Sequence, residues 1–180
     1  MPTPSSTTTT GGGIAAGVFA AGIAAMALVA APIFTSHEGE RLTPYRDVVG
    51  VLTVCSGETR NVQNRTYTKA ECAAMTQKIM YDFGTEVYNA NPSIVNYPNQ
   101  WAAHTIFAAN VGAGQYRRST VLRLDLAGDH RGACRYMRNY TYAGGKVFQG
   151  LVNRRTGTND KVGEYELCLA DAVERDLGSI

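Results

Sequence analysis

Glu38, Asp47 and Thr53 are the residues whose types and spacing could do chemistry. Eight residues separate the two carboxylates, and five more precede the hydroxyl. Two carboxylates in unlike surroundings suit cleavage of a glycosidic bond. One stays protonated and gives the leaving oxygen a proton, while the other stays ionised. Spacing alone does not single them out, because 15 acidic residues offer many such pairs and most would be solvated surface charges.

For the three to share a cleft, a helix must end near Glu38 and a hairpin must bring Thr53 back to it. Residues 37–46 read as a helix end followed by a turn at Pro44, since proline interrupts a helix and restricts the residue before it. Residues 47–57 are β-branched and punctuated by glycine, which predicts a short hairpin. Thr68-Lys-Ala-Glu71 is a capping box that starts a helix through Met75, Ile79 and Phe83. Pro92 and Pro98 break the chain, and residues 100–109 are apolar at helical spacing up to a glycine-marked stop at Asn110-Val-Gly-Ala-Gly114. Further helical stretches cover residues 119–127, 129–140 and 164–177. A loop at 142–146 and the segment 150–155 lie between the last two. Helices dominate, with one small sheet near the start, so the class is α+β.

Every one of the 17 basic and 15 acidic residues lies beyond residue 37, and the formal charge of +2 implies no polyanion partner. The composition excludes a disordered chain, a collagen and a multi-span membrane protein. Residues 11–34 are uncharged and long enough to cross a bilayer as a helix. They include nine alanines and five glycines. The larger apolar side chains favour insertion by only about 3–5 kcal/mol. Such a segment can enter a membrane and leave it. Gly13, Gly17, Ala21 and Ala25 recur every four residues and form a smooth stripe on which another helix could pack in lipid. A cleavable signal peptide is the alternative. Against it, the Pro/Ser/Thr leader has no Lys or Arg, and the apolar run exceeds a usual signal core. The chain thus divides into a leader with a membrane segment, 1–36, and a folded domain, 37–180.

Cys55, Cys72, Cys134 and Cys168 all fall in the charged part, and four thiols allow three pairings. In an oxidising compartment the expected bonds are Cys55 with Cys72 and Cys134 with Cys168. Each closes a short loop, worth about 3–4 kcal/mol in the chain-entropy picture. Reduced, buried thiols are the other reading. No CxxC or Cys/His cluster suggests zinc, and no metal or cofactor is expected.

Glu38-x8-Asp47-x5-Thr53 resembles the catalytic spacing of phage-type lysozymes, glycoside hydrolase family 24. The context is similar too: His37-Glu38-Gly39, then Pro44-Tyr45-Arg46-Asp47-Val-Val-Gly-Val-Leu-Thr53-Val-Cys-Ser-Gly57. Asn110-Val-Gly-Ala-Gly114, Arg118-Ser-Thr-Val-Leu122, Tyr140-Thr-Tyr-Ala-Gly-Gly-Lys146 and Gly150-Leu-Val-x-Arg154-Arg155 follow in order, over residues 37–177. The Ala/Gly-rich segment ahead of Glu38 is similar to the signal-anchor-release (SAR) endolysins within that family. The resemblance implies a mostly helical lysozyme-like fold with a small N-terminal hairpin, preceded by the SAR helix. It implies a muramidase cutting the β-1,4 bond between N-acetylmuramic acid and N-acetylglucosamine in peptidoglycan. Glu38 would be the general acid. Asp47 would orient or deprotonate the water or stabilise the oxocarbenium ion, and Thr53 would hold the water. Tyr45, Asn110 and Arg154 match positions beside the cleft, where they would bind substrate. Packing, a helix cap and a surface ion pair are their plainer readings. The resemblance further implies peptidoglycan as substrate, the host inner membrane as partner through residues 11–34, no nucleic acid, and a monomer once released into the periplasm.

Three features depart from the family pattern. His37 stands beside the acid where an apolar residue is expected, and its charge would act on Glu38. Residues 156–163 look like an insertion after the Arg154-Arg155 doublet. The leader lacks basic residues. In addition, residues 11–34 contain no cysteine, so thiol exchange from the anchor is not available. A membrane-tethered, non-catalytic peptidoglycan-binding module is the competing reading, and a pore-former acting through the apolar helix is a third. Phe34 lies one helical turn before Glu38. A membrane-spanning segment would therefore pin Glu38 to the lipid surface. The tethered form is expected to be inactive until residues 11–36 leave the membrane and pack on the domain.

Overall fold

A computed structural model describes residues 11–46 and 50–178, with first-helix side chains from residue 16 onward. The leader 1–10 and Asp47 lie outside the described residues. The uncharged segment forms one helix, α1 (Gly11–Glu38), which continues through Pro32 on its exposed side. Its inward residues recur at three- and four-residue steps: Ile23, Met26, Ala30 and Phe34 are all buried in the main core. Full burial of each of the three large side chains contributes about 1.5–3 kcal/mol. The Gly17–Ala21 edge of the small-residue stripe faces solvent. Close approach inside the domain occurs elsewhere. A Cβ on Gly22 would stand 2.7 Å from the Val95 carbonyl, and one on Gly84 would stand 2.2 Å from the Met26 methyl.

Gly39, at φ 74°, ends α1 and donates its N–H back to the Thr35 carbonyl at 3.0 Å. An antiparallel hairpin follows, β1 (Arg41–Arg46) with β2 (Leu52–Cys55). The turn expected at Pro44 is instead strand. Pro44 lies in the irregular stretch between Arg41 and Tyr45 where the register shifts, a position that does not need the missing N–H. The capping box forms as expected: Thr68 and Glu71 satisfy each other's backbone at the start of α2 (Lys69–Ala90).

A 3₁₀ turn (Pro92–Asn96) leads into α3 (Pro98–Val111), whose residues 100–108 are all buried. Trp101 fills the centre and donates its indole N–H to the Gly84 carbonyl at 3.0 Å. Around α3 pack α1, α2 and the C-terminal helix α8 (Glu164–Leu177). Short helices α4 (Ala113–Arg117), α5 (Thr120–Leu126) and α6 (His130–Met137) complete the helical body. The loop at 142–146 is a second small hairpin, β3 (Tyr142–Ala143) with β4 (Lys146–Val147), turned by Gly144 and Gly145 at positive φ. The segment after it is a helix, α7 (Gln149–Thr156).

Both expected disulfides are present. Cys55–Cys72 ties β2 to α2, and Cys134–Cys168 ties α6 to α8. The first matters more locally, because the hairpin's own core is small: Val54, Cys55, Tyr67 and Cys72.

Candidate active site

The end of α1 sets Glu38 at the rim of a cleft of about 480 Å³. Its walls are the α1 end (Phe34, Glu38), residues 56–60 after β2, Ile79 and Phe83 of α2, and Ala109 and Asn110 at the end of α3. Glu38 keeps 29 % side-chain exposure while its Oε1 meets Arg154 Nη2 at 2.7 Å. Arg154 comes from α7 and is buried. Its Nε and Nη1 have no hydrogen-bond partner among the described residues. The plainer reading of Arg154, a surface ion pair, is met only in part: the pair exists, but its guanidinium is buried and only Glu38 reaches solvent.

Beside it lies a second arginine that sequence reasoning did not single out. Arg155, 1 % exposed, stacks 4.9 Å above the Phe107 ring and donates through Nε to the Tyr140 carbonyl at 3.2 Å. Its Nη1 meets both oxygens of Glu164 at 2.5 Å, and its Nη2 donates to Asn110 Oδ1. Asn110 therefore is not the helix cap, a task that falls to Gly112. Burial pushes the Glu164 carboxyl up, to about 7, against the pull of Arg155 and Arg154. Burial likewise lowers Arg155 from its ordinary value. The signal for Arg155 was its place in the Arg-Arg doublet. Glu164 carried none, because residues 156–163 separate it from that doublet.

Thr53 on β2 is buried, and its hydroxyl donates to the Val51 carbonyl at 3.0 Å. It pairs across the hairpin with Tyr45, over whose ring the Arg41 guanidinium sits at 4.4 Å. These two residues share the strand pair that leads into the cleft wall but are not part of that wall. Asp47 falls between the two strands, outside the described residues. The structure thus brings Glu38, Arg154 and, through Arg155, Asn110 into one cluster, with Tyr45 and Thr53 on the adjoining hairpin. Two further cleft residues were missed: Glu58, whose carboxylate is taken up by Arg60, and Ser56, whose buried hydroxyl has no partner among the described residues. No cluster of three metal-binding side chains occurs among the described residues.

His37 differs from its sequence reading. It donates Nε2–H to the Val162 carbonyl at 2.8 Å. Burial, with Arg154 and Lys161, sets its pKa below the ordinary value, which disfavours a charge beside Glu38.

A helix carrying a carboxylate into a cleft between a small hairpin lobe and a helical body is the layout of a lysozyme. The phage lysozyme family model matches residues 35–157, more than half of the chain, and the chain belongs to that family. It is 47 % identical over 127 residues to the SAR-endolysin of Bacteriophage PS119, covering 68 % of this chain and 74 % of that one. It is 44 % identical over 137 residues to the SAR-endolysin of Enterobacteria phage P21, covering 73 % and 77 %. Among solved structures, the active form of the P1 phage endolysin Lyz superposes with a TM-score of 0.68 at 20 % identity, over 87 % of this chain and 93 % of that one. The muramidase domain of SpmX from Asticaccaulis excentricus gives 0.64 at 23 % identity, over 83 % and 95 %. These two structures share the fold.

Proposed function

We propose that this lysozyme acts as a lysis endolysin on peptidoglycan, cutting the β-1,4 bond after N-acetylmuramic acid, with Glu38 as general acid. The observation that carries the assignment is the Glu38–Arg154 contact at the cleft rim. The acid must reach solvent to meet a glycan, and it must leave a carboxylate behind when its proton passes to the leaving oxygen. Partial exposure meets the first need, and the buried guanidinium balances the charge that the second creates. Asp47 activates the water or stabilises the oxocarbenium ion, and Thr53 holds that water by its hydroxyl. Asn110 in the cleft wall, with Arg154 and Tyr45 beside it, takes part in binding the sugar.

The assay is turbidity loss of chloroform-treated Gram-negative cells. Glu38→Gln is expected to lower the rate at least about 10³-fold with the fold intact, because an amide cannot donate the leaving-group proton. Activity within tenfold of wild type sinks the assignment. In the same assay Thr53→Ser, which keeps the hydroxyl, should outperform Thr53→Val; equal losses remove the water-holding role.

Before lysis the chain is held at the host inner membrane through residues 11–34 and is inactive there, then works in the periplasm. Helix α1 is long and apolar enough to cross a bilayer. Its residues Ile23, Met26, Ala30 and Phe34 also belong to the domain core, and Phe34 lies in the cleft wall. They cannot serve lipid and cleft at once. Gly17→Leu with Ala20→Leu and Ala21→Leu adds apolar bulk only on the exposed side of α1. Each leucine strengthens insertion by about 0.3–0.6 kcal/mol. The variant should stay in the membrane fraction and delay lysis. Timely lysis by a fully membrane-bound variant overturns control by release.

A further inference from the structure

Two departures from the family pattern, the histidine before Glu38 and the residues 156–163, meet in the folded chain. Helix α7 ends at Thr156 and α8 begins at Glu164, and the chain between them closes on itself. At its base Gly157 and Gly163 lie backbone to backbone. A Cβ on Gly163 would stand 2.2 Å from the Gly157 nitrogen, and Gly157 takes φ 76°, so neither position accepts a side chain without strain. Across the loop, Thr158 N–H donates to the Lys161 carbonyl at 2.8 Å, and Lys161 N–H returns a bond to the Thr158 carbonyl at 3.3 Å. The next contacts leave the loop altogether. Lys161 Nζ donates to the Ser36 carbonyl, and the Val162 carbonyl accepts the His37 Nε2–H at 2.8 Å. Ser36 and His37 are the two residues immediately before Glu38.

We propose that residues 157–163 form a strap that holds the last turn of α1, which makes His37 and Lys161 positioning residues for Glu38. This rests on the reading of Glu38 as the acid. A helix end has carbonyls without intrahelical donors and is the part most prone to fray. An ammonium group at that end satisfies one such carbonyl and opposes the helix dipole. The strap grows directly out of α7, which carries Arg154, and runs into α8, which carries Glu164. It therefore joins the acid-bearing helix to the arginine-bearing one through contacts separate from the Glu38–Arg154 pair itself. Placement is what such a tie controls, and a shift of about 1 Å at a reacting group can cost as much as 10²-fold in rate. The charged groups facing His37 are Arg154, Lys161 and Glu38. A carbonyl only accepts, so the imidazole must carry its hydrogen on Nε2. Burial lowers the ring's pKa from its ordinary value, which favours the neutral form, and the hydrogen bond to Val162 sets the ring's direction. A glutamine amide can supply the same N–H, whereas alanine cannot.

The test uses the full-length enzyme in the cell-wall assay, with kcat and KM measured separately and melting midpoints recorded. His37→Ala should lower kcat about tenfold with KM near wild type, His37→Gln should return it to within about threefold, and Lys161→Met should lower kcat about threefold. Wild-type kcat in His37→Ala overturns the strap's role. So does a glutamine variant as poor as the alanine one, or a loss confined to KM. If His37→Ala fails to fold, His37→Gln and Lys161→Met decide alone, and wild-type kcat in Lys161→Met overturns the proposal. Glu38→Gln is run alongside. Full activity there defeats the acid assignment, whereas an inactive Glu38→Gln beside a fully active His37→Ala defeats only the strap.

Discussion

Arg154 and Arg175 are both buried guanidiniums in contact with a carboxylate, yet their surroundings differ. Asp125, the partner of Arg175 at 3.1 Å, is itself buried and also accepts from Asn91, Gln100 and His130 at 2.6–2.9 Å. Burial alone would push Asp125 up, but His104, Arg175 and His130 together bring it below its ordinary value. That cluster joins the 3₁₀ turn, α3, α5, α6 and α8 and is closed to solvent. The Arg154 cluster is unfinished by comparison. Glu38 is partly open, two Arg154 nitrogens lack partners among the described residues, and Glu164 is raised to about 7. A polar network that only has to hold helices together can be completed. One that must receive a substrate keeps capacity in reserve.

The contrast breaks if the two clusters respond alike to mutation. Asp125→Ala should cost about 3–5 kcal/mol in denaturant unfolding, because it leaves Arg175 and His130 buried without their carboxylate, while kcat of the folded enzyme stays near wild type. Glu38→Gln should do the reverse, losing its rate with a smaller loss of stability than Asp125→Ala, because the amide oxygen still accepts from Arg154. A rate loss in Asp125→Ala as large as that in Glu38→Gln would mean that the closed cluster is part of the machinery.

A smaller effect sharpens the difference in pH. Glu164 has a folded-state pKa of about 7 against an ordinary 4.5, so between those values the folded chain keeps a proton that the unfolded chain has lost. Stability should therefore fall as pH rises through that window. Asp125, held below its ordinary 3.8, acts in the opposite sense, its contribution fading as pH drops through the acid range. Glu164→Gln should flatten the stability profile between about pH 4.5 and 7 and leave the acid limb in place. An unchanged slope in that window refutes the assignment to Glu164.

Local signals in the sequence predicted local structure well. The Thr68–Glu71 box starts α2, glycine closes α3, and the short-loop pairing of the four cysteines is the pairing present. The hairpin was expected to follow a turn at Pro44, and proline's usual meaning misled because a register shift lets it sit within β1. Helix α7 was not assigned, since Gly150 opens it and its apolar positions are few. Of the candidate site, the resemblance to the lysozyme family pointed to Glu38 and the Arg154–Arg155 doublet, which the fold brings together, and to Thr53 on the adjoining hairpin, while Asp47 lies outside the described residues. The Arg155–Glu164 pair and the meeting of His37 with Val162 were not legible. Both are contacts across the loop at 157–163, and nothing in composition or periodicity reports which residues a loop brings together.

The solvent-facing side of α1 has a consequence for handling the protein. Along it run Gly17, Ala20, Ala21 and Ala24, with Leu28 as the most exposed bulky side chain at 78 %. Small side chains present little greasy area per turn, so a helix apolar enough for lipid can lie on the surface of a dissolved enzyme without forming a large sticky patch. Raising the grip on the bilayer and raising the tendency to clump in water are then one change. The segment's composition is confined from both directions, and variants engineered for tighter anchoring should be harder to keep in solution once they come free.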